Sequence, residues 1–314
     1  MMDVILILVF ITAIFMGIAI GSTPVPSAFG PVISSGATGV LKSALLGGLA
    51  ACMGAIVQGD RVSSTIGKGM ILGEITAPQA LVILLVASLL VLISVLTNYP
   101  MPTAFTVVGS VIGSALSFGN ELRWGTIQLI VGYWALVPVL ALTLGYAISL
   151  LLQRYLPKKE SQKPIRYVIL FLGLFVAYTA GANSVGKAVG PLIPFGFNMR
   201  LLLVMGGVSI LAGAWILSPK IIDTVSFQYS SMGPRRAISA LSTAAILSQI
   251  GVFLGVPISF AQAIIASMIG SGLVIGGSSM GKKKIGFTSL TWVSAIFIAI
   301  GASYGLGNLV QYLT

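Results

Sequence analysis

The fold is decided by two stretches of the sequence, GSTPVPSAFGP at residues 21–31 and GANSVGKAVGP at residues 181–191. Glycine, valine, alanine and proline recur at matching places in both stretches, at a constant spacing of 160 positions. A second pair, residues 100–116 and 257–273, matches at a spacing of 157. Two matches in the same order at nearly the same spacing indicate an internal duplication. We therefore expect an N-terminal repeat at 1–152 and a C-terminal repeat at 167–314, joined by a basic linker at 153–166.

The composition is that of a membrane protein. Hydrophobic residues make up 57% of the 314 residues, charged residues 7%, and the mean hydropathy is +1.06. A soluble domain is about 25% charged, and a helix that spans a bilayer needs about 20 apolar residues. The clearest candidate spans are residues 4–20, 42–57, 77–96, 127–152, 167–180, 201–217, 238–256 and 290–313, and two further apolar stretches rich in Gly, Ser and Pro are residues 100–118 and 257–277. The sequence therefore predicts an all-α integral membrane protein with about ten transmembrane segments.

The side chains that many enzymes depend on are scarce. Histidine is absent, Cys52 is the single cysteine, and the six acidic residues are scattered along the chain. This composition excludes Cys/His zinc sites, a Ser-His-Asp triad, a haem held by histidine and a disulfide within the chain. We expect no catalytic residues, no metal site and no cofactor. The net charge of +11 comes from bases in the gaps between apolar segments, so nucleic acid is not an expected partner.

The basic residues predict the orientation in the membrane. If each half crosses five times, the two repeats have inverted topology and both termini lie on one side. With the termini outside, the four external bases are Arg61, Lys68, Arg123 and Arg200. The twelve internal bases are Lys42, Arg154, Lys158, Lys159, Lys163, Arg166, Lys220, Arg235, Arg236, Lys282, Lys283 and Lys284. Because cytoplasmic loops carry an excess of Lys and Arg, we expect a multi-pass protein of the cell membrane with external termini and a cytoplasmic linker.

Glycine and proline interrupt the apolar segments at corresponding places in the two halves, near residues 21–31 and 100 in the first and near residues 181–191 and 257 in the second. Pro24, Pro26 and Pro31 stand within eight residues and should not share one continuous helix. The stretches that begin near Pro100 and Pro257 read as helix starts or re-entrant hairpins, since proline is tolerated at a helix start. Inverted repeats with broken helices are typical of secondary transporters. A half-helix that starts inside the membrane points free N–H groups and a positive dipole end into the protein, which favours an anion.

The side chains at these breaks are mostly hydrogen-bond donors, and we predict that they form the binding site of an anionic substrate. The candidate residues are Ser22, Thr23, Ser27, Gly30, Thr103, Thr106, Asn183, Ser184, Lys187, Gly190, Ser259 and Gln262. A single Ser or Thr in a membrane helix more often bonds to its own preceding turn, so the prediction depends on the clustering. Lys187 is the one charge expected deep in apolar surroundings. A buried ammonium usually marks function, and its natural counter-ion would be the transported anion.

The chain resembles the inorganic phosphate transporter (PiT) family over nearly its whole length, and its pattern is closest to the sulfate-permease branch. The family repeats the motif G-x-N-D-x-A-N-x-x-G in each half; residues 181–190 fit it well and residues 21–30 fit it loosely. The stretch 54–71 and the hairpin starts at Pro100 and Pro257 also look like those of the family. The resemblance implies a permease or symporter that works by alternating access in the bilayer, an inorganic anion as substrate, and a homodimer.

Departures from the family motif bear on the mechanism. Phosphate members carry an Asp in both motifs, which the resemblance associates with sodium and substrate, and the corresponding residues here are Pro24 and Ser184. The second Asn of each motif corresponds to Ser27 and Lys187. Our hypothesis is that Lys187 supplies the positive charge that a bound cation supplies in relatives, so that transport does not need sodium.

The same departures favour sulfate over phosphate as the substrate. Phosphate near pH 7 carries a proton and needs an acceptor, whereas sulfate only accepts hydrogen bonds and suits a site made of donors. Two alternatives stay open. The amide oxygen of Gln262 or Asn183 could accept the phosphate proton, as in a sodium-coupled phosphate symporter, and re-entrant segments rich in donors could also line an anion channel.

Overall fold

The described part of the protein is helical almost throughout. The structure, a computed structural model, describes residues 2–97, 101–156, 162–219, 221, 233–274 and 282–313. The helices are α1 (Met2–Gly21), α2 (Pro24–Ser34), α3 (Val40–Gln58), α4 (Asp60–Ser64), α5 (Ala77–Thr97), α6 (Thr103–Ser117), α7 (Trp124–Tyr155), α8 (Gln162–Val189), α9 (Met199–Ile216), α10 (Pro234–Phe253), α11 (Phe260–Leu273) and α12 (Lys282–Leu313). A π-helical turn follows α4 at Thr65–Gly69, and a 3₁₀ helix follows α8 at Gly190–Phe195.

These helices confirm the predicted class of membrane fold. Among the described residues, eight helical stretches are long and apolar enough to cross a membrane, and α6 and α11 are shorter apolar helices. Large apolar side chains such as Phe171 and Leu201 are about two-thirds exposed, at 66% and 70%. Exposed side chains of this kind along spanning helices are expected to face lipid.

Equivalent helices occur in the same order in the two halves, and several of them pack on a helix of the other half. The order α1–α2, α3, α5, α6, α7 corresponds to α8, α9, α10, α11, α12. Helix α6 packs on α12 and α11 packs on α7, while α3 packs on α8 and α9 packs on α1. The halves therefore interlock, which confirms two repeats. The boundaries 1–152, 153–166 and 167–314 stay a prediction; α7 and α8 both run into the linker, and residues 157–161 lie outside those described.

Helices α5 and α6 form a hairpin that returns to the side from which it starts. Residues Ile71 and Leu122, before α5 and after α6, form an antiparallel bridge. At the same end, Gln79 donates a hydrogen bond of 2.8 Å to Asn120. Helix α6 has 15 residues and is about 22 Å long, less than the ~30 Å of the hydrocarbon core. We therefore expect the first turn of α6, at Thr103, and the start of the 14-residue α11 to lie inside the membrane.

The first break is confirmed, but its prolines are arranged differently from the prediction. Helix α1 ends at Gly21 and α2 begins at Pro24. The expectation that Pro24, Pro26 and Pro31 cannot share a helix is wrong, because all three lie in α2. Pro24 and Pro26 occupy the first turn, where no N–H donor is needed. Only Pro31 removes an internal hydrogen bond.

The predicted break at the corresponding place in the second half is absent. Helix α8 runs without interruption through Gly181 and Lys187 to Val189, and the chain tightens into a 3₁₀ helix only at Gly190. The reason lies in the residue that follows the motif asparagine. Ser184 has the backbone N–H that Pro24 lacks, so the α-helical hydrogen bonds continue.

Two close helix crossings, equivalent in the two halves, depend on glycine. A Cβ atom on Gly181 of α8 would stand 1.8 Å from the carbonyl oxygen of Ala51 in α3. One on Gly213 of α9 would stand 2.0 Å from the carbonyl oxygen of Ile18 in α1. Glycine therefore lets the backbones touch, as is common between membrane helices, and it fixes α8 against α3.

We expect Gly181→Ala to destabilise the protein strongly, by about 1–3 kcal/mol or more, because a methyl group must fit where backbone already lies. Gly132→Ala in α7 is the matched control, since nothing lies within 4 Å of a Cβ atom there. Thermal unfolding of the purified protein in detergent provides the measurement. Equal melting temperatures for the two variants would contradict the close crossing.

Candidate functional site

Lys187 is buried where three elements meet. Its side chain is 1% exposed. The ammonium Nζ lies 3.3 Å from Oγ1 of Thr103 and 3.4 Å from the carbonyl oxygen of Ile258. Thr103 is the first residue of α6, and Ile258 lies two residues before α11 begins at Phe260. The structure therefore brings the charge of α8 between the starts of the two half-helices, one from each repeat.

Among the described residues, no carboxylate is hydrogen-bonded to the ammonium of Lys187. Both hydrogen-bond partners are neutral oxygen atoms. The first N–H groups of an α-helix have no partner within the helix, and the helix dipole makes this end positive. Two such ends beside a buried ammonium create a local excess of positive potential. An anion is the ligand that this arrangement favours.

Asn183 holds the chain that leads into α11. Its side-chain amide donates to the carbonyl oxygen of Val256 at 2.7 Å, and its amide oxygen accepts from the backbone N–H of Ile258 at 3.1 Å. Both polar atoms of this predicted site residue therefore bond to one non-helical segment. Asn183 lies one helical turn before Lys187 on α8, so a single helix presents both residues to the start of α11.

Trp134 of α7 is a neighbour of the site that the sequence analysis missed. Its indole N–H donates to the carbonyl oxygen of Pro257 at 2.7 Å, and its ring stacks on Phe105 with centroids 3.9 Å apart. Phe105 belongs to the first turn of α6. The internal repeat could have pointed to Trp134, because Trp292 stands 158 positions later, in the equivalent helix of the second half.

Four of the predicted donors form hydrogen bonds with the backbone close to them in sequence. The hydroxyl groups of Ser22, Thr23, Ser27 and Thr106 donate to backbone carbonyls three or four residues earlier, at 2.6–3.0 Å. In this arrangement their protons are engaged, so they present only oxygen lone pairs to a ligand. Their assignment to the site stays a prediction.

The remaining candidates divide into polar groups and packing positions. Ser184 Oγ and Gln262 Oε1 are buried without a hydrogen-bond partner among the described residues, and Ser259 caps α11 by accepting from the N–H of Gln262 at 3.4 Å. Gly190 packs against Ile66, where a Cβ atom would stand 2.8 Å away. Gly30 is buried within α2.

Two interlocked repeats with half-helices that start inside the membrane define a secondary transporter fold. The chain belongs to the phosphate transporter family, which matches it twice, over residues 20–163 and 156–303. This confirms the resemblance seen in the sequence and the expectation of a permease fold. The family transports inorganic anions such as phosphate or sulfate.

Some relatives of the chain are named for sulfate and others for phosphate. The sulfate permease CysP of Bacillus subtilis is 28% identical over 304 residues, which cover 95% of this chain and 86% of that protein. A predicted phosphate permease of Pyrococcus furiosus is 21% identical, with 98% of this chain and 96% of that protein covered. The fold is similar to a solved structure of a sodium-dependent phosphate transporter, with a TM-score of 0.89, 20% identity, and coverage of 99% of this chain and 100% of that chain.

We expect Thr103→Val to weaken anion binding about fivefold, because it removes a neutral hydrogen bond worth about 1 kcal/mol beside the ammonium. Thr143→Val is the matched control; Thr143 is exposed on α7 and bonds only to its own helix. Equilibrium binding of radiolabelled sulfate and phosphate to the purified protein provides the test. An unchanged affinity for both anions would remove Thr103 from the site.

Proposed function

We propose that this protein is a secondary transporter of a tetrahedral inorganic oxyanion, that it prefers sulfate to phosphate, and that it works by alternating access without sodium. The observation that carries the proposal is the position of Lys187. A buried ammonium with two neutral partners lies between the starts of α6 and α11. A divalent anion bound there would balance the charge and accept hydrogen bonds from the helix N–H groups.

The preference for sulfate follows from the chemistry of the donor set. An ammonium, helix N–H groups and hydroxyls can donate to all four oxygens of sulfate. Among the described candidate residues none is a carboxylate, so a protonated phosphate oxygen meets no strong acceptor. A mispaired buried polar group costs about 1–3 kcal/mol. The similarity to a sulfate permease supports the same preference.

One observation supports phosphate as the second candidate substrate. Gln262 Oε1 is a buried acceptor without a partner among the described residues. It is the kind of atom that would accept the proton of phosphate. Parallel measurement of the two anions therefore decides between the candidates.

Independence from sodium follows from the changed motif. Sodium requires oxygen ligands, and the two carboxylates that the family resemblance associates with it are replaced by Pro24 and Ser184. In the second motif an ammonium stands one helical turn from Ser184. A fixed positive charge so close would repel a bound cation and can neutralise the substrate in its place.

We expect Lys187→Met to abolish most sulfate binding, because loss of one partner of a buried charge pair costs about 2 kcal/mol or more, about thirtyfold in affinity. Lys68→Met is the control, since Lys68 is exposed. Binding and proteoliposome uptake are measured for both anions with and without sodium. Sulfate uptake by the wild type that collapses without sodium, or unchanged binding by Lys187→Met, would contradict the proposal.

A carrier and a channel differ in the kinetics of the same uptake. Alternating access predicts uptake that saturates at low anion concentration and exchange that is faster than net flux. A flux that stays proportional to the anion concentration would instead indicate that the protein is an anion channel.

We also propose that both termini are external and that the linker 153–166 is cytoplasmic. The excess of bases in the loops assigned to the inside supports this orientation. Two contacts are consistent with it. The backbone N–H of Arg123 donates to the carbonyl oxygen of Met70 at 2.9 Å, at the end where Lys68 lies. The guanidinium of Arg235 donates to the carbonyl oxygen of Leu156 within the linker.

Cysteine labelling in whole cells tests the orientation. In a Cys52→Ser background, we expect Lys68→Cys and Arg123→Cys to react with a membrane-impermeant maleimide from outside. Arg154→Cys should react only after the cells are opened. The reverse pattern would invert the topology without affecting the anion site.

A further inference from the structure

The chain that leads into α11 is held by side chains over three successive residues. The carbonyl oxygens of residues 256, 257 and 258 accept hydrogen bonds from Asn183, Trp134 and Lys187, respectively. The three donors come from α7 in the first repeat and α8 in the second. Non-helical backbone at membrane depth must be paired unless it lines a cavity. Here side chains pair the three carbonyl oxygens, while the backbone N–H of Val256 donates to the carbonyl oxygen of Gly251 at 2.9 Å.

Asn183 is committed to this segment by both ends of its amide. The nitrogen donates to Val256 and the oxygen accepts from Ile258, so the side chain bridges the segment like another stretch of backbone. Because Asn183 and Lys187 are four residues apart on one continuous helix, the segment is held at a fixed distance from the ammonium.

Trp134 joins the starts of the two half-helices. Its N–H holds Pro257 just before α11, and its ring stacks on Phe105 in the first turn of α6. The side chain is 5% exposed, so the contacts are those of a packed interior. The indole of Trp134 therefore lies between the two starts and contacts both.

We propose that Asn183 and Trp134 are positioning residues that fix the starts of α6 and α11 around Lys187 at the spacing of a small tetrahedral oxyanion. The inference rests on the proposed function. It predicts that neither residue needs to touch the substrate and that both act on selectivity by size. Loss of either contact lets the segment at 256–258 relax, which weakens binding of the anion that fits and lessens discrimination against a larger one.

Sulfate and selenate provide the measurement, since they share charge and shape and differ in bond length. Trp134→Phe keeps a ring for stacking but removes the N–H donor. We expect its sulfate affinity to fall about fivefold, the effect of one lost hydrogen bond, and its selenate affinity to fall less, so that the affinity ratio moves towards one. Trp215→Phe is the control, because Trp215 is 48% exposed on α9.

Asn183→Leu removes both hydrogen bonds while keeping the same branched arrangement of side-chain heavy atoms, and it is expected to shift the ratio in the same direction. Because both residues hold one segment, the double variant should lose less sulfate affinity than the two single losses combined. Melting temperatures identify the variants that fold, and Trp134→Phe alone suffices if Asn183→Leu does not.

The outcomes separate the two proposals. Wild-type protein that binds neither sulfate nor phosphate overturns the proposed function. Wild-type protein that binds sulfate, with a sulfate-to-selenate ratio unchanged in folded Trp134→Phe, overturns the positioning role alone. An unchanged ratio includes the case in which both affinities fall by the same factor, which would indicate a general packing defect.

Discussion

The charge of Lys187 is the constraint on which the site depends. An ammonium group inside a membrane protein is costly unless its charge is balanced, and its two bonded partners here are neutral oxygens. The starts of α6 and α11 add positive potential from their dipoles. A divalent anion would neutralise this potential, so the occupied site would be electrostatically more favourable than the empty one. In the proposed mechanism, Lys187 takes the place of a co-bound cation.

The second constraint is that backbone inside the bilayer must be paired. Short helices that begin at depth need a non-helical segment before them, and the segment before α11 is held by Asn183, Trp134 and Lys187. Helix α6 packs on the last helix of the other half, and α11 packs on α7. Each half-helix therefore packs on a long helix of the other half, and both half-helix starts lie where the two halves meet.

Much of the fold was predictable because it depends on local properties of the sequence. Apolar length predicted the spans, the repeat predicted the equivalent halves, and the buried position of Lys187 followed from its place in an apolar motif. The breaks were predicted less well, because matched motifs were assumed to have matched geometry. Of the two matched motifs, only the first has a proline after its third residue, Pro24, and Ser184 at the corresponding place lets α8 continue. The partners of Asn183 and Trp134 lie 73 and 123 residues away in the chain, and no local pattern specifies such contacts.

A structure of the protein with bound selenate tests the central claim most directly, because the anomalous scattering of selenium locates the anion independently of the protein density. The account predicts one strong peak within hydrogen-bonded reach of Lys187 Nζ, about 3–4 Å from nitrogen to selenium, facing the first turns of α6 and α11. A peak at any other place in the membrane region, with the surroundings of Lys187 unoccupied at saturating selenate, would contradict it.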